Sequence, residues 1–472
     1  MREGDRVLLF VPMSIDLYVS LLAVLHAGAT AVFVDAWADR RRLDTAVAAA
    51  DPVLFIGPPR AHLLRLVSPV VRRIPRHWIA GRHFLKLARF ECPHGTAAAR
   101  VDGSAPALVT FSTGSTGAPK AAARSHDFLW AQHEVLADHL ALREDDVDMP
   151  TLPVFVLNNL ALGITSVIPH IDPARPAAID PARVLRQASA EGVTTTSGSP
   201  AFYERLVEEA ERRGRALPFR GLWTGGAPVF PPLAARLTAH VSGEAHVVYG
   251  STEAEPIAGT SARELVSRTG AAGGLTGLYA GEPVQRISLM VIRASDGPIE
   301  LSDEGWAAWE LPEGEVGEIV VSGRHVLGEY YRSPEETRRH KIHDGVMVWH
   351  RTGDGGRLDS DGRLWLYGRV SSRVQREGRV WWSTPAELLA LSIHEVRHAA
   401  YLGVADRALG KRCVLCVESD TPLPEFEGRI RAAMMGTPID ELRWLPHIPR
   451  DPRHASKTDV DALRRLIGGD SS

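Results

Sequence analysis

Between Thr110 and Lys120 the chain reads TFSTGSTGAPK, five side-chain hydroxyls and two glycines ahead of Pro119 and Lys120. Such a loop, placed directly after the apolar run ALVTFS, lets backbone N–H groups approach phosphate oxygens while the lysine adds a point charge. It is not a Walker A loop, G-x-x-x-x-G-K-[ST], because Pro119 precedes Lys120 and Ala121 follows it. Its plain alternative is a flexible surface turn, open to any Gly/Ser/Thr cluster. Only five of the 54 basic residues are lysines, namely Lys86, Lys120, Lys341, Lys411 and Lys457. A compact ammonium on a flexible stem enters narrow sites that the planar arginine fork does not. Cys413 and Cys416 raise a second chemistry, metal or redox. They stand in KRCVLCVE, an alternating run that reads as a strand, where positions three apart face opposite sides of the sheet. They are therefore expected to be core residues, and three cysteines in the whole chain suit a reducing compartment.

The elements that must position these groups alternate. RVLLFVP, TAVFVDA, PVLFIG, PALVTFS, GVTTTSGS, GLWTGG and HVVYGS read as short buried strands, and YVSLLAVLHAG and AFYERLVEEAERRG as helices between them. That alternation implies layered α/β sheets with chemistry at the carboxyl ends of the strands. From Gly281 the segments ISLMVIRASDGPIE, GEIVVSGR and GRLWLYGR read as hairpins, a β-rich subdomain. After Gly368 a helix-like TPAELLALSIHEV, the strands HAAYLGVAD and KRCVLCVE, and a helix TDVDALRRLIG form a small α+β unit. The expected division is 1–368 and 369–472.

At 472 residues, 44% apolar and 24% charged, the chain is an ordinary globular protein of more than one core. A net charge of -3 offers no global field for nucleic acid or an anionic membrane. Leu17–Val34, the most apolar stretch, is interrupted by His26, Gly28 and Thr30 and reads as helix plus strand, not as a transmembrane segment. With no secretory signal pattern at the start, a cytoplasmic location is expected. Neither a G-x-S-x-G elbow nor a G-x-G-x-x-G loop supports a hydrolase or a dehydrogenase.

TFSTGSTGAPKAA resembles the phosphate-loop signature of the adenylate-forming superfamily, the acyl-CoA synthetases, peptide-synthetase adenylation domains and luciferases. It is joined in order by GGAP (Gly225–Pro228), YGSTEAEP (Tyr249–Pro256), RTGDGGRLDSDGRLWLYGR (Arg351–Arg369) and the lysine of HASKTDV. The resemblance implies a large N-terminal domain followed by a mobile C-terminal lid, with a pivot near Ser371, where the family usually has Asp or Lys. It also implies ATP and Mg2+ as cofactors. Ser112, Thr113, Gly114, Ser115, Thr116, Gly117 and Lys120 would then hold the β- and γ-phosphates. Gly225, Gly226 and Ala227 would frame the adenine, and Tyr249 would stack on it, with Gly250 and Ser251 in the same nucleotide-binding turn. Thr252 would contact the α-phosphate, and Glu253 would bind Mg2+, a hard cation suited to carboxylate oxygen. Asp354 and Arg369 would take the ribose hydroxyls, and Lys457 would bridge the substrate carboxylate and the α-phosphate during attack.

PVFVLNNLALGITSVIP, IDPARPAAIDPARV, GSPAFYERL, DGVMVWHRTGD and PRDPRHASK are similar to the β-lactone synthetase branch of head-to-head olefin biosynthesis. That branch adenylates a long-chain 2-alkyl-3-hydroxy acid and closes it to a β-lactone without CoA. Where CoA-using relatives read Val-Lys-x-x-Gly after the pivot, this chain has Val374-Gln375-Arg376-Glu377-Gly378. A fatty acyl-CoA or acyl-carrier ligase and an inactive nucleotide-binding relative remain the alternatives. The expected partner is a small-molecule acyl substrate, and analogy with the branch allows a complex with other olefin-pathway enzymes. Glu255 stands where the branch usually has an apolar residue, and Ser456 where most of the superfamily has Gly. Family members carry several dozen further residues before GDRVLLF, so Met1 is expected to be a truncated or misassigned start, with a lower stability than a full-length relative.

Overall fold

The computed structural model describes residues 1–34, 40–81, 97–113, 119–172, 175–271, 276–434, 436–451 and 456–468. Among them the first sheet has six strands, β1 (Arg6–Leu9), β2 (Thr30–Phe33), β3 (Leu54–Gly57), β4 (Arg76–Ile79), β5 (Pro106–Thr113) and β6 (Pro119–Ser125), in the order β4-β3-β1-β2-β5-β6. Its pairings are parallel except for the β5–β6 hairpin, whose register sets Ser112 opposite Lys120. The apolar stretch after Leu17 is the helix Ile15–His26 followed by β2, as its interruptions predict.

The second sheet begins with β7 (Val147–Pro150), β8 (Thr165–Ser166), β9 (Thr195–Gly198), β10 (Gly221–Gly225) and β11 (Glu244–Ser251), all parallel. Helices cover it, and the sequence shows why they form where they do. Helix Pro200–Arg213 opens with Ser199 accepting from Phe202 N, has Pro200 at its first position, and stops at Gly214 with φ +61°. It buries Phe202, Tyr203, Leu206, Val207 and Ala210, the positions that helical spacing places on one face, against Leu222 and Leu237. Buried groups the size of Phe202, Leu206 and Val207 are each worth ~1.5–3 kcal/mol.

The hairpin-like region does not stand apart from this body. β12 (Ala254–Ser261) turns back antiparallel on β11, and β13 (Leu278–Pro283) pairs with it. The same twelve-stranded sheet continues through β14 (Ser288–Ile292), β15 (Gly317–Ser322), β16 (Lys341–Asp344), β17 (Met347–Leu358) and β18 (Leu364–Arg369). The change in texture at Gly281 is thus a change from parallel to antiparallel pairing within one sheet.

Beyond the single 3-10 turn Val370–Ser372 lie the hairpin β19 (Val374–Arg376) and β20 (Arg379–Trp381) and a three-stranded sheet, β21 (His398–Asp406), β22 (Gly410–Glu418) and β23 (Glu441–Leu445). Glu377 and Gly378 close the small hairpin with φ +53° and +75°, as a two-residue turn with both centres left-handed requires. The helix expected through SIHEV ends earlier, at Leu391. Along β22 the two cysteines separate as expected. Cys413 packs with Val374, Leu389, Tyr401 and Phe426, whereas Cys416 packs on the opposite face with Leu402, Ile448 and Leu463.

Candidate active site

β10 and β11 run side by side with Gly225 opposite Val248, so their carboxyl ends bring Gly225–Ala227 next to Tyr249–Glu253. Close approach there needs glycine, since a Cβ on Gly225 would meet the Val248 carbonyl oxygen at 2.6 Å, and Gly226 follows with φ +82°. Tyr249 donates its hydroxyl to Asp354 Oδ2 at 2.8 Å, and Arg369 Nε lies 3.2 Å from Asp354 Oδ1. Burial and the Asp354 carboxylate both hold the Tyr249 phenol in its neutral, donating form. Three expected nucleotide residues, far apart in sequence, thereby form one polar group.

Asp354 is aimed by its own strand. Thr352 Oγ1 donates to Ile319 O at 2.8 Å and accepts from Asp354 N at 3.1 Å. Arg351, first in the same motif, is a structural anchor: its guanidinium lies 2.6 Å from Glu318 Oε2 and donates to the carbonyls of Ser295 and Gly297 at 2.6 Å each.

The β11–β12 turn carries Thr252 and Glu253 toward the first sheet. Arg124 on β6 donates to Thr252 O at 2.8 Å, and Leu327 N donates to Glu253 O at 2.7 Å. The Glu253 carboxylate accepts the Tyr330 hydroxyl at 2.9 Å. Burial alone would raise its pKa, but His350, the Tyr330 hydrogen bond and Lys341 bring it down to about 2. His350 is itself driven to its neutral form by burial and by Lys341, so near neutral pH the carboxylate is held by Tyr330 and Lys341. Glu253 thus presents an anionic oxygen of the kind that could hold a hard cation.

Lys120, 5% exposed, points into the same cluster. Its Nζ lies 2.7 Å from Glu336 Oε2 and 2.6 Å from His340 Nε2, both on the helix Pro334–His340. Burial and the Lys120 charge push His340 down to about 4, leaving it neutral and able to accept from the lysine. The hairpin is tied to this helix by Tyr331 N donating to Ala121 O at 2.8 Å. Gly114, Ser115, Thr116 and Gly117 lie outside the described residues, and of Ser112 and Thr113 only the strand register is described.

Lys457 sits on the C-terminal unit. Its N–H donates to Asp451 Oδ1 at 3.0 Å and its carbonyl accepts from Asp451 N at 2.8 Å. Ser456 Oγ accepts from Ala201 N at 3.1 Å, which places the Lys457 backbone beside the start of helix Pro200–Arg213, just past the carboxyl end of β9. Tyr330, Glu336, His340, Lys341 and His350 are neighbours that sequence reasoning missed. The one available signal was Lys341, a scarce lysine outside the recognised motifs, which is 2% exposed and donates from Nζ to Leu327 O.

Gly225, Tyr249 and Asp354 thus meet at one end of the second sheet, with Glu253 in the turn that follows Tyr249. A family model described as AMP-binding enzyme matches residues 1–331, and the chain belongs to that family. It is an AMP-forming ligase of the adenylate-forming, acid-activating type. The chain is 34% identical to an olefin beta-lactone synthetase of Stenotrophomonas maltophilia, over 98% of this chain and 86% of the relative. It is 33% identical to an olefin beta-lactone synthetase of Xanthomonas campestris with the same coverage, 98% and 86%. A salicylyl-CoA synthase / salicylate adenylyltransferase of a Streptomyces species is 30% identical over 79% of this chain and 66% of its own. Among solved structures, the amide bond synthetase McbA from Marinactinospora thermotolerans superposes with a TM-score of 0.81 at 23% identity, covering 99% of this chain and 90% of that one. ATP-bound MatB from Rhodopseudomonas palustris gives 0.80 at 21% identity, covering 99% and 89%. Both share the fold. No helix among the described residues is long and apolar enough to cross a membrane.

Proposed function

We propose that this enzyme uses ATP and Mg2+ to activate a long-chain 2-alkyl-3-hydroxy acid and closes it to a β-lactone. A carboxylate oxygen attacks the α-phosphorus and pyrophosphate leaves, giving acyl-AMP. The 3-hydroxyl of the same molecule then attacks the activated carbonyl, AMP departs with its electron pair, and the hydroxyl proton is lost to solvent. Both reacting groups belong to one substrate, so closure proceeds at high effective concentration and needs no second acyl acceptor.

In this reading Tyr249, Gly225–Ala227, Gly250 and Ser251 receive the base, and Asp354 with Arg369 receives the ribose. Lys120 and the Ser112–Gly117 loop receive the departing phosphates, and Lys120 exchanges Glu336 for phosphate oxygen. Glu253 holds Mg2+, Thr252 contacts the α-phosphate, and Lys457 bridges the carboxylate and the α-phosphate, stabilising charge as attack proceeds. The proposed division at 368/369 lies at the last residue of β18 (Leu364–Arg369), just ahead of the turn Val370–Ser372 that contains Ser371.

The observation that carries the lactone reading is the likeness to two olefin beta-lactone synthetases across 98% of the chain. Gln375 in place of lysine beside the Glu377–Gly378 turn supports it. A CoA or carrier acceptor is the second reading, favoured by Gly378 and by the salicylyl-CoA synthase relative. The discriminating experiment is incubation with ATP, Mg2+ and a 3-hydroxy acid in the absence of CoA. Lactone detected by mass spectrometry supports the proposal, and acyl-AMP that accumulates until CoA is added overturns it.

A further inference from the structure

The contact between Ser456 and Ala201 joins residues 255 positions apart, one of them adjacent to Lys457. Helix Pro200–Arg213 explains why that donor is available. The first N–H groups of a helix have no intrahelical partner. Pro200 has none to offer, and that of Phe202 reaches Ser199 through both its hydroxyl and its carbonyl, at 3.4 and 3.1 Å. Ala201, 2% exposed, is the first-turn donor that remains, and Ser456 fills the role of a capping acceptor supplied from the far end of the chain.

On its other side the Lys457 segment is fixed within the C-terminal unit. Asp451 holds both the N–H and the carbonyl of Lys457, at 3.0 and 2.8 Å, and Thr458 Oγ1 lies 3.2 Å from His398 Nε2. Arg450, paired with Thr458 in an antiparallel bridge, also faces Glu204 on the same helix. Lys457 is therefore held between Asp451 on its own unit and, through Ser456, the helix that follows β9.

We infer that Ser456 is a positioning residue for adenylation: its hydroxyl, by capping Ala201, sets where Lys457 stands at the carboxyl ends of the parallel strands. The inference rests on the reading of Lys457 given above. A glycine at 456 offers no such acceptor, so the departure from the superfamily pattern adds a fixed point between the two parts of the chain.

The test compares Ser456→Ala, Ser456→Thr and Lys457→Ala in the full chain, using ATP–pyrophosphate exchange driven by a 3-hydroxy fatty acid, with hydrogen exchange at the Ala201 amide. Losing one hydrogen bond that aligns the lysine is expected to lower kcat of exchange by about fivefold, the equivalent of ~1 kcal/mol. The ATP KM is expected to stay unchanged while the Ala201 amide loses protection, and Ser456→Thr, which keeps the hydroxyl, is expected to recover both. Full exchange activity in Ser456→Ala beside an inactive Lys457→Ala overturns the inference alone. So does an equal loss in the alanine and threonine variants, or a loss confined to KM. Wild-type exchange in Lys457→Ala overturns the underlying reading of Lys457 instead.

Discussion

Tyr330→Phe removes one oxygen atom from the most heavily charged part of the site. The phenol of Tyr330 is buried and donates to Glu253 Oε1 at 2.9 Å, and its ring packs with Ala122, Phe128 and Leu327. Phenylalanine keeps that packing and deletes only the donor, so the native fold is retained. A hydrogen bond to a charged acceptor contributes about 1.5–3 kcal/mol, which is roughly ten- to hundredfold in an equilibrium constant. Because Glu253 is the proposed Mg2+ ligand, the loss should emerge in metal dependence: the Mg2+ concentration for half-maximal ATP–pyrophosphate exchange rises by about tenfold or more. A pH effect accompanies it. The hydrogen bond from Tyr330 is one of the interactions holding the Glu253 pKa down against burial, so deleting it raises that pKa and moves the acid limb of activity to higher pH. Exchange assays across Mg2+ concentration and pH, with melting curves on the same samples, read all three quantities. An unchanged Mg2+ midpoint and acid limb in a normally folded variant would refute the assignment of Glu253.

Asp354→Asn keeps the shape of the Tyr249–Asp354–Arg369 group but weakens its acceptor, so the ATP KM should rise about tenfold with the acid KM unchanged, measured by steady-state kinetics. Glu318→Gln leaves the buried Arg351 guanidinium without its counter-charge and should cost about 3–5 kcal/mol of stability in denaturant titrations. Burial lowers the pKa of Lys341 from 10.5 to about 7, so between those values the unfolded chain binds more protons than the folded one and stability rises with pH. Lys341→Met should flatten that rise in melting curves taken from pH 6 to pH 10.

β1, β2, β3, β5, β9, β10 and β11 were legible as short runs between a helix and a loop, whereas the equally parallel β4, β7, β8 and β23 were not, and Gly225, Tyr249, Glu253 and Asp354 were legible because each stands in a motif. The union of the hairpin region with the second sheet was not. It depends on β12 and β13 pairing over only two residue pairs, which no local pattern announces. The charged neighbours of Glu253 and Lys120 were hidden for a related reason. Glu336 and His340 read as an ordinary solvated helix face until β6 is pinned against Tyr330 and Tyr331, an association more than two hundred residues apart in sequence. Ser456 was visible only as a departure from pattern, and its partner Ala201 follows from the proline that opens its helix.

The central claim, attack by the substrate carboxylate on the α-phosphorus of ATP followed by internal closure, is tested most directly with a 3-hydroxy acid carrying 18O at both carboxyl oxygens. The account predicts one 18O in the released AMP and one in the β-lactone, since the bridging oxygen leaves with phosphorus and the ring oxygen comes from the hydroxyl. Unlabelled AMP beside a lactone that keeps both labels would show that the hydroxyl, not the carboxylate, had been activated, and would contradict it.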